Sequence, residues 1–162
     1  MEDLPSESST PPSPTAPPAQ PVALHPLSPA DERTWAMLAH LSVLANLVTG
    51  FLGPVAALVI YLVYKERSRY VAYQSFQAFI FQLVAWVGGG FLAAVAWTIS
   101  ASLVPVVGLG CLCMPGAAAV SLIPLAALVY GVIGAVQCNS GQDFQYWQVG
   151  DWVRSTLTEA RP

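Results

Sequence analysis

His40, Asn46, Gln74 and Gln77, with Gln82 beyond them, are the polar side chains embedded in otherwise apolar sequence. An imidazole can relay a proton or hold a ligand, and carboxamides both donate and accept hydrogen bonds. Gln74 and Gln77 share one helical face, because residues three apart are neighbours on a helix. In lipid such groups must point at protein or at water. The first four therefore form a candidate intramembrane polar cluster, which can tie helices together or line a polar path. No carboxylate lies beside them in the apolar sequence, and proton-coupled transport usually needs one.

Other chemistry finds less support. Cys111 and Cys113 make a C-x-C step without the second ligand pair of a structural zinc site, so with Cys138 they are expected to be buried thiols. Gly88-Gly89-Gly90 falls inside an apolar run, where it serves close packing or flexibility rather than phosphate binding. With no nucleophile elbow and no metal cluster, the expectation is a protein that is not an enzyme and uses no cofactor.

The elements that hold these residues follow from charge. Tyr70 to Gln142 contains no Asp, Glu, Lys or Arg, which no ordinary soluble domain of this size tolerates. The fold class expected is an all-α integral membrane protein, a small bundle of four helical segments, with three crossings as the alternative. Residues 1–29 read as a disordered Pro- and Ser-rich tail, 30–141 as a helical membrane domain, and 142–162 as an interfacial, cytoplasmic tail. The tail's PxxP spacings at Pro11, Pro14 and Pro17 favour polyproline II, and its acidic start argues against a secretory signal.

Ser28-Pro29-Ala30-Asp31 reads as a helix start. Two glycines and Pro54 within Gly50–Pro54 predict a break, giving segments at 30–48 and 54–66, with one long kinked helix as the alternative. A helix over 75–99, a Gly- and Pro-rich turn over 101–115 and a helix over 116–137 follow, the last kinked at Pro124, with Ser121 available for a local bond. Lys65, Arg67 and Arg69 form the cationic cluster. By the positive-inside rule they face the cytoplasm and place the C-terminus there, with the N-terminus beside it if the first segments form a hairpin. Tyr61, Tyr64, Tyr70 and Tyr73 read as an interfacial aromatic belt, and Phe144, Tyr146, Trp147 and Trp152 as lying along the headgroups. The expected location is the cytoplasmic membrane of a bacterium.

Gly90, Ala94, Thr98 and Ser102 make a ladder of small side chains, and Ala127, Gly131 and Ala135 make a second one. Such ladders let helices approach closely where lipid supplies no hydrophobic drive. Packing within the bundle is the simplest use, with a homo-oligomer or a membrane-protein partner as the other. The net charge of −3 and the absence of a basic patch exclude nucleic acid, leaving the lipid bilayer as the first partner.

Glu32 to Ser42, Leu52-Gly53-Pro54 with Lys65 to Arg69, Tyr70 to Ala78, and Gly141 to Asp151 together resemble a small bacterial membrane family of unknown function. That family is itself similar to the twenty-kilodalton Tic subunit of the chloroplast inner-envelope import machinery. The resemblance implies a helix-packing assembly, scaffold or translocation-associated subunit with both termini on the inner side. The chain departs from the family's pattern at Ala72, often basic there, at Gln74, often His, and at Trp147-Gln148, where the family has Tyr-Pro. Roles that depend on those groups do not carry over.

Overall fold

In the computed structural model, which describes residues 25–106 and 108–159, every regular element is helical. The elements are α1 (Pro29–Leu41), a 3-10 turn (Ser42–Ala45), α2 (Asn46–Thr49), α3 (Leu52–Tyr64), α4 (Arg69–Gln82), a π-helical turn (Leu83–Gly88), α5 (Gly89–Leu103), α6 (Leu109–Asn139) and α7 (Val149–Glu159). The tail assigned to residues 1–29 lies outside the described residues, apart from 25–29, of which Pro29 already opens α1.

Each boundary has a local cause. Ser28 caps α1 by accepting from the Asp31 amide at 3.2 Å, with Pro29 at the first position and Asp31 and Glu32 in the first turn, where the helix dipole favours anions. The 3-10 turn joins α1 to α2, and the run stops at Gly50, whose φ of +84° suits a residue without a Cβ. Leu52 then starts α3, which doubles back along α1. The break predicted at Gly50–Pro54 is thus a hairpin, and both of its ends lie at one end of the bundle.

Two expected boundaries need correction. Helix formation resumes at Arg69, earlier than Ser75, because Ser68 is an N-cap that accepts from the Val71 amide at 3.2 Å. From there α4, the π turn and α5 run as one 35-residue helix, about 50 Å long. The turn expected over 101–115 ends at Gly108, φ +71°, and α6 begins at Leu109 and carries Pro115 and Pro124 within it. Gly110 explains the short turn, since a Cβ there would collide with Ser100 O, so only glycine lets α6 start hard against the end of α5. Ser121 does make a local bond, donating to Ala117 O at 2.9 Å.

The core is built largely from small groups. Ala36, Ala39, Ala57, Ala78 and Cys138 are fully buried together with the rings of Phe144 and Tyr146. Small side chains bring α1, α4 and α6 close, and two aromatic rings fill the space that remains.

The two small-residue ladders part company. Ala127, Gly131 and Ala135 are buried, and a Cβ on Gly131 would meet Val43 Cγ1 at 2.8 Å, so this face packs on the α1 run. Gly90, Ala94, Thr98 and Ser102 are not buried, which corrects their expected packing inside the bundle. The inward face of α5 is instead the neighbouring one, with Gly89 against Ile123 and with Ser100 buried. One residue is about 100° of helix, so Gly89 and Gly90, equal in size, face different ways.

The expectation of buried thiols is corrected for Cys111 and Cys113, which are exposed on the first turns of α6, while Cys138 is buried.

Candidate functional site

The candidate site is a buried polar network at the end of the bundle where the charged residues gather. α1 carries His40 to it, and α4 carries Gln74 and Gln77, one turn apart on one face. The chain after α6 supplies the rest. From Gln142 to Gln148 it runs as an irregular strap over the helices, and alternate residues turn inward: Phe144 and Tyr146 are buried, while Gln145 and Trp147 are exposed. Two-residue alternation is what an extended segment with one buried face requires.

His40 Nδ1 lies 2.9 Å from the Tyr146 hydroxyl, and Nε2 lies 3.0 Å from Gln74 Oε1. Gln74 Nε2 donates to Asp143 Oδ1 at 3.0 Å and to Phe144 O at 3.1 Å, so its Oε1 is the acceptor and His40 Nε2 carries the proton. Tyr146 must then donate to His40 Nδ1, which fixes the neutral tautomer. Burial pushes the Tyr146 phenol above its ordinary pKa, so it keeps the proton it donates. Gln77 Nε2 donates to Gln74 Oε1 and, at 2.7 Å, to Phe144 O, while Gln77 Oε1 accepts from the Tyr146 amide at 3.3 Å. Each side-chain donor and acceptor of the His40, Gln74 and Gln77 set thus has a partner within the protein.

Aromatic rings close the network off. Tyr146 stacks on Phe81 at 3.9 Å and 10°, Tyr130 meets Phe81, Phe144 and Tyr146 edge-on, and Phe144 stands edge-on to His40 at 5.2 Å. Gly134 permits the close fit, because a Cβ there would lie 2.7 Å from Phe144 Cε1 and 3.1 Å from His40 Nδ1. Beyond the strap, α7 packs on α4 with Val153 buried and the Arg154 guanidinium 4.6 Å from the Tyr73 ring centre.

Of the four expected cluster residues, His40, Gln74 and Gln77 come together and Asn46 does not. Asn46 belongs to a second polar layer deeper along the helices. Its Oδ1 accepts from the Gly53 amide at 2.8 Å, and Gln82 Nε2 donates to Ser42 Oγ at 3.0 Å and to Ala39 O at 3.3 Å. Asn46 Nδ2 and Gln82 Oε1 have no hydrogen-bond partner among the described residues, and both crowd Gly53, where a Cβ would lie within 2.6 Å of each.

Tyr146 and Phe144, expected along the headgroups, are instead central to the site; Trp147 and Trp152 stay exposed. The period-two spacing Phe144-x-Tyr146 is the signal that points inward. Among the described residues no group of three or more His, Cys, Asp or Glu stands close enough to hold a metal ion.

The site can therefore hold elements in register. Its His40, Gln74 and Gln77 side chains are satisfied by one another, by Tyr146, by the Phe144 carbonyl and by the Asp143 carboxylate, and none of them is set against a nucleophile.

The profile of the magnetosome magnetite crystal formation protein family matches residues 31–153, and the chain belongs to that family. The match spans both helical hairpins and the strap, and it lends no support to the Tic-like resemblance. No curated protein and no solved structure matches the chain.

Proposed function

We propose that this protein is a non-enzymatic, multi-pass membrane protein of the magnetosome that takes part in magnetite crystal formation as a helix-packing assembly subunit. The family supplies the process, and the surface of α5 and α6 supplies the mode. Arg69–Leu103 and Leu109–Asn139 are each long and apolar enough to cross a bilayer. Val84, Val87, Phe91, Leu92, Leu112, Leu122 and Val129 all stand exposed on them. So large an uncovered apolar surface calls for lipid or protein against it. The observation that carries the assembly reading is the outward face of Gly90, Ala94, Thr98 and Ser102, open to close approach by a neighbouring helix.

The side on which it acts follows from charge. Asp31, Glu32, Arg33, the Lys65–Arg69 cluster, Asp143, Asp151 and Arg154 gather at one end. Contacts knit that end together: Ser68 to Glu32, Arg67 to His25 O at 3.1 Å, Tyr70 to Gln142 O at 2.9 Å. The far turns, Gly50–Phe51 and Val104–Gly108, hold no charge and no His. With the cationic end cytoplasmic, both ends of the bundle's chain lie on that side. The turns on the mineral side then lack the carboxylates that hard iron ions prefer. The protein contributes by organising membrane partners rather than by coordinating iron there.

A carrier lined by His40, Asn46, Gln74 and Gln77 has weaker support, because three of these are saturated by protein and Asn46 lies apart. The test is removal of the chain from its host, with crystal dimensions read by electron microscopy and partners by copurification from mild detergent. Altered crystals and a copurifying membrane species are expected. Unchanged crystals would end the crystal-formation role, and a strictly monomeric, partnerless protein would end the subunit role.

A further inference from the structure

A cleft of about 830 Å³ opens at the charged end, between the C-terminal end of α3, the first turns of α4 and the inner face of α7. Its charged lining is Lys65, Glu66, Arg69, Asp143 and Arg154, three cations against two carboxylates. The carboxylate of Asp143 is already used, since it accepts from Arg154 at 2.7 Å and from Gln74 at 3.0 Å. Arg154 is in turn held by that ion pair and by the Tyr73 ring. Among the described residues Lys65 and Arg69 make no side-chain hydrogen bond and no ion pair, so with Glu66 as the remaining acid the free part of the cleft is cationic. Arg67, by contrast, turns to His25 O and to the Tyr64 ring.

We infer that this cleft binds the phosphate-bearing headgroup of an anionic lipid. Lys65 and Arg69 supply the charge. Tyr61 and Leu157, also in the lining, supply an apolar wall that a small inorganic anion would not use. From Lys65 the exposed Leu62, Val59 and Val55 continue along one side of α3, a surface that acyl chains can cover. A cluster of basic side chains at the cytoplasmic ends of apolar helices is where an anionic headgroup gains most, and amphipathic α7 forms the outer wall of the site.

This inference rests on the membrane reading above. The first check is therefore whether alkaline carbonate releases the protein from membranes, which would overturn that reading and the lipid site together. With the protein membrane-held, the full chain is placed in phosphatidylcholine nanodiscs doped with phosphatidylglycerol, transferred to neutral detergent, and the retained lipid counted by mass spectrometry. Wild type should retain phosphatidylglycerol over phosphatidylcholine by about thirtyfold, the scale that two basic side chains at about 1 kcal/mol each provide at an anionic surface. Lys65→Gln/Arg69→Gln should fall to parity. Arg67→Gln, with the same loss of charge per residue but outside the cleft, should behave as wild type; matching helical circular dichroism verifies the fold of each variant. Equal retention in all three proteins overturns the site, as does a loss in Arg67→Gln as large as in the double variant. Displacement of the lipid by millimolar inorganic phosphate also overturns it, and would mark a site for a soluble anion.

Discussion

The two ends of the bundle are held by different physics. At the charged end, α1, α4, α6 and the strap meet around His40, Gln74, Gln77 and Tyr146, with directional bonds between most of the parts. At the far end, α5 and the first half of α6 face mainly each other, through Gly89, Gly110 and one bond from Trp97 Nε1 to Ser121 Oγ at 3.0 Å. Hydrogen-bond networks in a low-dielectric interior specify a single arrangement, because each unpaired group is costly. Close contact between small residues specifies distance but leaves the outer faces free. The His40 network at the charged end is thus satisfied within one chain, whereas the far end leaves the outer face of α5 uncovered.

The sharpest way to break this contrast is Tyr146→Ala. It removes the stacked ring and the proton donor to His40 together, and should cost about 3–5 kcal/mol, the range for a buried aromatic truncated to Ala. Denaturant titration in detergent reads the loss, and limited proteolysis between Gln142 and Gln148 reads release of the strap. A loss below about 1 kcal/mol would mean that the strap is an accessory.

Gly110→Val attacks the other end. The added side chain meets the backbone of Ser100 and Val104, and overpacking of this kind costs about 1–3 kcal/mol. A cysteine pair reporting on the α5–α6 spacing should show the hairpin opening while the strap stays protected. Joint loss of both would show that the two ends are one cooperative unit.

A double-mutant cycle on His40→Ala and Gln74→Ala measures the network directly. Its members are in contact, so a coupling of about 1–2 kcal/mol is expected. The same cycle on Gln74 and Asn46 should give near additivity, because the structure puts them in separate layers. Strong coupling there would merge the layers.

The smallest effect on the single chain is expected for Gly90→Leu with Ala94→Leu. Neither position is buried, and a Cβ added at Gly90 would meet nothing within 4 Å, so the stability of the isolated chain should stay within about 0.5 kcal/mol. Assembly in mild detergent should nevertheless be lost. An unaltered oligomeric state would remove the ladder from any interface.

Sequence alone carried the all-helical class of the described residues. An uncharged run from Tyr70 to Gln142 admits few structures other than apolar helices. Local chemistry likewise placed the start of α1 at Ser28-Pro29 and the break at Gly50, since capping and positive φ act within a few residues. It marked His40, Gln74 and Gln77 as residues that need partners. It did not say which partners, nor that Asn46 would find a different set. Phe144 and Tyr146 looked interfacial because an aromatic ring suits both a headgroup layer and a core, and only the return of the chain over α4 and α6 gave them a cavity to fill. The same limit governs the glycine run. Gly89 and Gly90 are identical in size and preference, and the choice between them depends on where Ile123, more than thirty residues away, presses against the helix. Polarity and local geometry are written residue by residue, whereas the identity of a neighbour is a property of how the whole chain closes.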